Sequence, residues 1–212
     1  MMMARTARHA LITGGGSGIG AATARALAGA GATLSLVGRR LAPLEALAAE
    51  LPGATAIVAD VTSPDDVAAM AAAARAAHGP VDILVACAGA AESAPAAKID
   101  AGHWQRMIGV NLTGAFLTSQ VVLADVTRPE AATPRIVFMA SIAGLKGYAY
   151  VAAYCAAKHG LVGLARALAV ELAPRGVTVN AVCPGFTQTP LLEAAIANIV
   201  AKTGWPPSRA EA

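Results

Sequence analysis

The sequence predicts an α/β fold, a doubly wound domain in which helices cover both faces of one parallel sheet. Six short apolar segments alternate with longer segments of helical pattern along nearly the whole chain. Hydrophobic residues make up 56% of the 212 residues and charged residues only 14%, which excludes a disordered chain. Since no linker interrupts the alternation, we expect a single domain spanning residues 1–212.

The predicted strands are almost continuously apolar, which is typical of a parallel sheet that is covered on both faces. They lie at 9–13, 33–37, 54–59, 82–86, 135–140 and 177–182. Right-handed crossovers through helices would join these strands, and ligands of such sheets bind at the carboxyl ends of the strands.

Helices are predicted between the strands, and several carry start or stop signals. The first, 19–30, is rich in alanine and stops at Gly31, and the second, 41–51, ends before a Pro-Gly pair. The third begins at Ser63, a favoured N-cap residue that is followed by a proline and two acids. Two longer helical patterns follow at 100–124 and 150–172.

Charge and composition exclude several classes of protein. The net charge is +3 and the pI about 9.0, but no basic run is longer than Arg39-Arg40, so we predict no nucleic-acid surface. The cysteines, Cys87, Cys155 and Cys183, lack metal-ligand spacing, and we predict reduced thiols, no metal site and a cytoplasmic protein. The sequence has no signal-peptide core and no uncharged apolar run of about 18 residues, so we expect no membrane span.

A glycine cluster, TGGGSGIG at 13–20, lies between the first predicted strand and the first predicted helix. In that position, backbone N–H groups and the helix N-terminus can hold the pyrophosphate of a dinucleotide. The alternative is a permissive turn without a ligand. The first βα turn of such a sheet favours cofactor binding.

The residues after the second strand bear on the identity of the cofactor. An NAD site of this kind has an acid there for the ribose hydroxyls, whereas this chain has Arg39 and Arg40. A guanidinium binds the 2′-phosphate that a carboxylate would repel, so we predict NADP(H), with NAD(H) as the alternative. Otherwise the two arginines merely begin an exposed helix. Asp60, after the third strand, is expected near the adenine or as a simple turn acid.

Tyr154 and Lys158 are four residues apart on a predicted helix and therefore share one face. A nearby cation favours phenolate, so we expect Lys158 to lower the pKa of Tyr154 from its usual value of about 10. Such a tyrosine is a general acid and base for an alcohol or ketone. The spacing alone is a weak signal, because Tyr and Lys often stand four apart on exposed helices, but Ser141 lies thirteen residues before Tyr154.

Together these residues give the chain a resemblance to the short-chain dehydrogenase/reductase family, whose fold is a Rossmann-type domain. The loop at 13–20 matches the family's cofactor loop, and the catalytic tetrad is matched by Asn111, Ser141, Tyr154 and Lys158. The resemblance covers nearly the whole chain, and the run 179–186 is most similar to polyketide ketoreductases, 3-oxoacyl reductases and 3-hydroxyacyl dehydrogenases. The cofactor-binding residues that it implies are Gly14, Ser17, Gly18, Ile19, Gly20, Arg39, Asp60, Val61, Ala88, Gly89, Tyr154, Lys158, Pro184, Gly185, Thr187 and Thr189.

The resemblance implies an NAD(P)-dependent oxidoreductase that passes a hydride between the cofactor and a ketone or secondary alcohol, for example a 3-oxoacyl-type substrate. Tyr154 would transfer the proton, Ser141 would hold the substrate oxygen, and Lys158 would lower the Tyr154 pKa and bind the nicotinamide ribose. Asn111 would hold a water that links Lys158 to solvent, or it is a helix-kink residue. The alternative function is a non-catalytic NAD(P)-binding redox sensor or regulator, against which the retention of all four residues argues.

The resemblance also bears on substrate and partners. We expect a small-molecule substrate in an apolar pocket, with a lid after residue 185. The candidate pocket residues are Leu145, Tyr148, Tyr150, Leu191 and Leu192. In the family the two long helices form the subunit interface, and exposed Ala and Gly residues permit close packing there, so a homodimer or homotetramer is expected.

Two features depart from the family pattern. The segment after the fourth strand, ACAG at 86–89, lacks both asparagines of the family's N-N-A-G, so we expect their hydrogen bonds to be missing or replaced. The sequence also stops at Ala212, with Ser208 and Glu211 at capping-box spacing, where relatives continue with a helix and a seventh strand. We therefore expect a C-terminal truncation that leaves the sixth strand as an apolar edge.

Overall fold

A six-stranded parallel sheet forms the centre of the protein in the computed structural model, which describes residues 7–131, 133–189, 193 and 196–197. The strands are β1 (His9–Thr13), β2 (Thr33–Gly38), β3 (Ala54–Val58), β4 (Ile83–Ala86), β5 (Arg135–Met139) and β6 (Thr178–Val182). Their order across the sheet is β3-β2-β1-β4-β5-β6. The direction of winding reverses between β1 and β4, which opens a crevice at the carboxyl ends of these two strands.

Helices cover both faces of this sheet, as the fold class predicted. They are α1 (Gly18–Gly29), α2 (Leu41–Glu50), α3 (Pro64–His78), α4 (Ala101–Ile108), α5 (Gly114–Val126) and α6 (Ala152–Leu172). One apolar core lies between the sheet and α1 and α2, and a second, larger core lies between the other face and α3, α5 and α6. The predicted strands are correct to within one or two residues.

The N-cap prediction for α3 is confirmed, and the predicted helical stretch over 100–124 forms as Ala101–Val126 with a π-helical turn inside it. The Ser63 hydroxyl accepts a hydrogen bond from the Asp66 N–H at 3.2 Å and so caps α3. Within the long helical stretch, α4 and α5 are joined by a π-helical turn, Gly109–Thr113. This widened turn contains Asn111, whose side chain bonds both within the helix and outside it.

The same stretch, Ala101–Val126, is long and apolar enough to cross a membrane by length and composition, with a mean hydropathy of 1.5. Its two helices pack against α3, α6 and β4. Because a helix in the core of a globular domain meets the same criteria, this stretch is weak support for a membrane span.

A buried network of hydrogen bonds lies at the amino-terminal end of β1. His9 is only 1% exposed, its Nδ1 lies 2.9 Å from the Gly79 carbonyl oxygen, and its Nε2 lies 2.9 Å from the Ser35 hydroxyl. Since a carbonyl can only accept, Nδ1 carries the proton, and in the neutral imidazole Nε2 then accepts from the Ser35 hydroxyl. Burial lowers the pKa of His9 below its usual value of 6.5, and the neighbouring His78 ring, 5.1 Å away, adds to this effect.

We expect the free energy of unfolding to fall as the pH drops below about 6.5. In that range the unfolded chain takes up a proton on His9 and the folded protein does not, so acidification favours unfolding by up to about 1.4 kcal/mol per pH unit. Urea unfolding between pH 7.5 and 5 measures the effect. His9→Asn should lose less stability over this range than the wild type, whereas His159→Asn, at an exposed position of α6, should lose as much. Equal pH dependence in His9→Asn and wild type would contradict the assignment.

Candidate active site

The glycine loop between β1 and α1 leaves no room for side chains. Gly14 and Gly18 have φ values of 66° and 51°, which favour glycine. A Cβ on Gly20 would lie 2.2 Å from the Gly14 carbonyl oxygen, and a Cβ on Gly14 would lie 2.9 Å from the Cys87 carbonyl oxygen. The loop therefore folds tightly over the start of α1, whose exposed N-cap residue is Ser17. This tight cradle at a helix N-terminus fits the pyrophosphate of a dinucleotide.

The start of α1 faces the segment after β6 across a cavity of about 360 Å³. Among its lining residues are the predicted cofactor residues Gly18, Ile19, Thr187 and Thr189. The Pro184 carbonyl oxygen accepts a hydrogen bond from the Ile142 N–H at 3.0 Å, which joins this segment to the loop after β5. Gly185 also lies here, with Ile142 Cδ1 3.9 Å from the position of its missing Cβ.

The residues predicted for the adenosine end follow β2 and β3 on adjacent strands. Arg39 is exposed directly after β2. The Asp60 carboxylate accepts hydrogen bonds from the Thr62 N–H at 2.9 Å and the Thr62 hydroxyl at 2.7 Å. These two bonds, with the charge of Arg39 as a smaller cause, hold the pKa of Asp60 below its usual value. Val61 is buried against Gly114, where a Cβ would lie 2.6 Å from the Val61 Cγ2.

The segment after β4 is hydrogen-bonded to the Thr13 side chain at the end of β1. The Thr13 hydroxyl oxygen accepts hydrogen bonds from the Cys87 and Ala88 N–H groups, each at 3.1 Å. Thr13 is not among the site residues predicted from the sequence. Its position at the end of β1, the strand beside β4, could have indicated that it contacts the segment after β4. Burial raises the pKa of the Cys87 thiol to about 11, so this residue is a neutral thiol beside the crevice.

Asn111 ties the π-helical turn to the segment after β4. Its Nδ2 donates to the carbonyl oxygens of Ala90 at 2.8 Å and Met107 at 3.0 Å. Its Oδ1 accepts from the Ala90 N–H at 3.3 Å, and a Cβ on Gly89 would lie 2.9 Å from that oxygen. The side-chain bonds of Asn111 therefore hold the π-helical turn against the segment after β4.

Ser141 and Tyr154 meet at the carboxyl end of β5. The Ser141 hydroxyl oxygen accepts from the Ala143 N–H at 3.1 Å, which places this side chain at the start of the loop. Burial raises the pKa of Tyr154 above its usual value of 10, and a hydrogen bond with the Ser141 side chain opposes that effect. Tyr154 is therefore a protonated phenol at neutral pH.

Lys158 shares the face of α6 with Tyr154, but it does not act on the phenol as predicted. Its Nζ lies 5.6 Å from the centre of the Tyr154 ring and donates to the Met139 carbonyl oxygen at 2.8 Å. Burial lowers the pKa of Lys158 to about 8, which weakens its charge. The prediction that Lys158 lowers the pKa of Tyr154 is therefore wrong for this structure, because burial of the phenol outweighs a cation that bonds elsewhere.

A cavity of about 640 Å³ has neither Ser141 nor Tyr154 among its lining residues. It lies on the α1 face of the sheet, along β4 and β5, and it meets the cofactor loop at Ile19 and the segment after β6 at Thr187. We place the site at the carboxyl ends of the strands instead, because the polar groups converge there. Of the predicted pocket residues, Leu191 and Leu192 lie outside the described residues, as does most of the predicted lid.

Comparison with known proteins identifies the family of this chain. Residues 8–199 match the family of short chain dehydrogenases. The chain belongs to the short-chain dehydrogenase/reductase family. The family, the α/β fold class and the enzyme class predicted from the sequence are thereby confirmed.

Relatives of this short-chain dehydrogenase include several reductases. A granaticin polyketide synthase protein of Streptomyces violaceoruber, named as a ketoacyl reductase, is 43% identical over 188 residues, which are 87% of this chain and 69% of the relative. A crystal structure of an actinorhodin polyketide ketoreductase variant with NADPH superposes with a TM-score of 0.91 and 35% identity, covering 99% of this chain and 82% of that one. A crystal structure of a 3-ketoacyl-(acyl-carrier-protein) reductase from Brucella melitensis with NADH superposes with a TM-score of 0.84 and 33% sequence identity. The match covers 88% of this chain and 78% of that one.

These findings support the chemistry that the sequence predicted. The short-chain dehydrogenase is an NAD(P)(H)-dependent oxidoreductase that acts on a small-molecule ketone or alcohol.

Proposed function

We propose that this short-chain dehydrogenase is an NADPH-dependent ketoreductase that interconverts a ketone and a secondary alcohol, with 3-oxoacyl compounds as its substrate class. One observation carries the proposal. Ser141 lies close enough to Tyr154 to oppose the rise of its pKa, and Lys158 lies one helical turn further along α6, at the same end of the sheet as the glycine loop. The names of the polyketide and 3-ketoacyl reductases among its relatives support the substrate class.

The proposed cofactor site uses the loops after five of the six strands. Gly14, Ser17, Gly18, Ile19 and Gly20 would hold the pyrophosphate through backbone N–H groups. Arg39 would bind the 2′-phosphate, and Asp60 and Val61 would flank the adenine. The nicotinamide end would be held by Ala88, Gly89, Pro184, Gly185, Thr187, Thr189, Tyr154 and Lys158. A bound nicotinamide supplies the hydride that the protein itself lacks.

The protein's own residues position the carbonyl and supply the proton. Ser141 would donate a hydrogen bond to the substrate oxygen and fix its place. Tyr154, protonated at neutral pH, would give its proton to the alkoxide that develops there, or accept one in the oxidative direction. The ammonium of Lys158 would bind the nicotinamide ribose, and Asn111 would hold a water through which the proton is replaced.

Initial-rate assays test this function. We expect NADPH absorbance to fall when the protein is mixed with ketones, including a 3-oxoacyl thioester, and the corresponding alcohols to form in equal amount. A protein that binds NADPH tightly but oxidises it with none of these ketones would contradict the proposal and favour a non-catalytic binding protein.

Cofactor preference should change when the end of β2 is altered. Gly38→Asp combined with Arg39→Leu adds a ribose-binding acid and removes the guanidinium. A Cβ on Gly38 would lie 3.6 Å from its nearest neighbour, a Leu44 methyl, so the new side chain fits. We expect the ratio of kcat/KM for NADPH over NADH to fall by about 10- to 100-fold, as follows from losing a hydrogen bond between charged groups.

The control for this experiment is Arg40→Leu, which changes the adjacent exposed arginine at the N-cap of α2 and should keep the preference for NADPH. A wild-type protein that already uses NADH better than NADPH would contradict the role of Arg39.

We further propose that the protein assembles as a homodimer or homotetramer in the cytoplasm. Large apolar side chains are exposed on α4 and α5, with Trp104 41% and Phe116 42% exposed, and a second subunit would cover them. The three cysteines are free, which fits a reducing compartment.

A further inference from the structure

Tyr150 holds a backbone conformation that its side chain disfavours. Its φ value is 66°, in the left-handed region, and Thr133 is the other non-glycine residue with positive φ in the described part of the chain. For a bulky side chain this conformation brings Cβ too close to its own backbone. Glycine or asparagine would fit the position better, so something other than backbone preference accounts for a tyrosine here.

Packing in the protein core does not account for it either. Tyr150 is 60% exposed. Its carbonyl oxygen accepts a hydrogen bond from the Ala94 N–H at 2.7 Å, a contact that any residue could make. The neighbouring Tyr148 ring has Lys146 Nζ 5.0 Å from its centre, whereas no ring or cation in the described residues packs on Tyr150. More than half of the surface of Tyr150 is thus open to a ligand.

Tyr150 belongs to the segment that joins two of the candidate site residues. It lies between Ser141 and Tyr154, four residues before Tyr154, and its bond to Ala94 joins the loop after β5 to the loop after β4. The loops after β5 and β6 carry two more exposed apolar side chains, Leu145 at 56% and Phe186 at 64%. A group of exposed large apolar residues next to converging polar groups is typical of a ligand site.

We propose that Tyr150 is a specificity-determining residue, whose ring contacts a flat apolar substituent next to the carbonyl of the substrate. This inference rests on the proposed ketoreductase function and deepens it by naming the substrate class: ketones that carry an aromatic or similarly flat group. Ring-on-ring contact adds to the affinity that burial alone provides. The strained backbone is the structural consequence of holding the ring at this place.

The test compares two methyl ketones, acetophenone and 2-butanone, on wild type, Tyr150→Asn and Tyr150→Phe. Asparagine tolerates the left-handed backbone but lacks the ring, and phenylalanine keeps the ring. We expect Tyr150→Asn to lower the ratio of kcat/KM for acetophenone to kcat/KM for 2-butanone by about three- to tenfold. This is the range that the loss of one contact between two aromatic rings produces, and it should arise from a higher KM for acetophenone. Its melting temperature should equal or exceed that of wild type, and Tyr150→Phe should keep the wild-type ratio.

An unchanged ratio in Tyr150→Asn, or a lower melting temperature with equal losses on both ketones, would overturn the proposal and make Tyr150 a structural or subunit-contact residue. Saturation-transfer NMR of acetophenone on the NADP⁺-loaded protein separates this result from failure of the ketoreductase function. Wild type that binds acetophenone without reducing it, with binding lost in Tyr150→Asn, would contradict the enzyme and support the Tyr150 contact. Wild type that does not bind acetophenone would overturn the contact.

Discussion

Replacing Tyr154 by phenylalanine should lower kcat for ketone reduction by about 10²- to 10⁴-fold, the range that general acid–base catalysis supplies. The variant loses only the phenol oxygen, which lies near Ser141 and carries the transferable proton. The ring and its packing on α6 remain. We therefore expect the dissociation constant for NADPH to stay close to that of wild type, and steady-state rates with fluorescence titration of NADPH measure the two quantities separately.

The melting temperature of Tyr154→Phe provides the control for an effect on folding, and it should match that of wild type. Two results would count against the role of Tyr154. One is substantial residual reductase activity, and the other is a loss of NADPH binding as large as the loss of turnover.

Replacing Lys158 by methionine should damage both turnover and cofactor binding. Lys158 is only 4% exposed, so methionine fills its volume without leaving the cavity that alanine would leave. The variant loses the buried ammonium that we assign to the nicotinamide ribose, and a displaced nicotinamide also lowers the rate of turnover. We expect a roughly 10- to 100-fold weaker dissociation constant for NADPH, from the loss of hydrogen bonds to a charged group, together with a lower kcat.

Measuring the NADPH dissociation constant at several pH values tests the role of the Lys158 charge. Since burial lowers the pKa of Lys158 to about 8, the ammonium loses its charge as the pH rises through that value. NADPH binding to wild type should therefore weaken above pH 8 or so, and this part of the pH dependence should be absent in Lys158→Met. Normal NADPH affinity in the variant would contradict the role of Lys158 in cofactor binding.

The sheet was predictable from the sequence, while the π-helical turn in the long helix was not. Strands buried on both faces are continuous apolar runs, so β1 and β4 stand out from the helical segments around them. The pattern over 100–124 contains no proline, so it predicts one regular helix. The π-helical turn arises from the bonds of Asn111 to Ala90 and Met107, one of which joins segments far apart in sequence.

The positions of the candidate site residues were also predictable, but their electrostatics were not. Spacing on one helix brought Tyr154 and Lys158 to the same face. The sequence could not tell that Lys158 would bond to the Met139 carbonyl oxygen, nor that burial would raise the pKa of Tyr154. Likewise, the bonds of Thr13 to the segment after β4 depend on the pairing of two strands about seventy residues apart.

Hydride transfer from NADPH to a ketone is the central claim, and isotope transfer tests it most directly. NADPH carrying deuterium at both C4 positions is incubated with the protein and a ketone that it reduces, and the alcohol is analysed by mass spectrometry and NMR. We predict one deuterium on the carbinol carbon of each alcohol molecule, and almost no labelled alcohol with Tyr154→Phe. Alcohol that forms without deuterium at that carbon, or no alcohol from any ketone while NADPH is bound, would contradict the account.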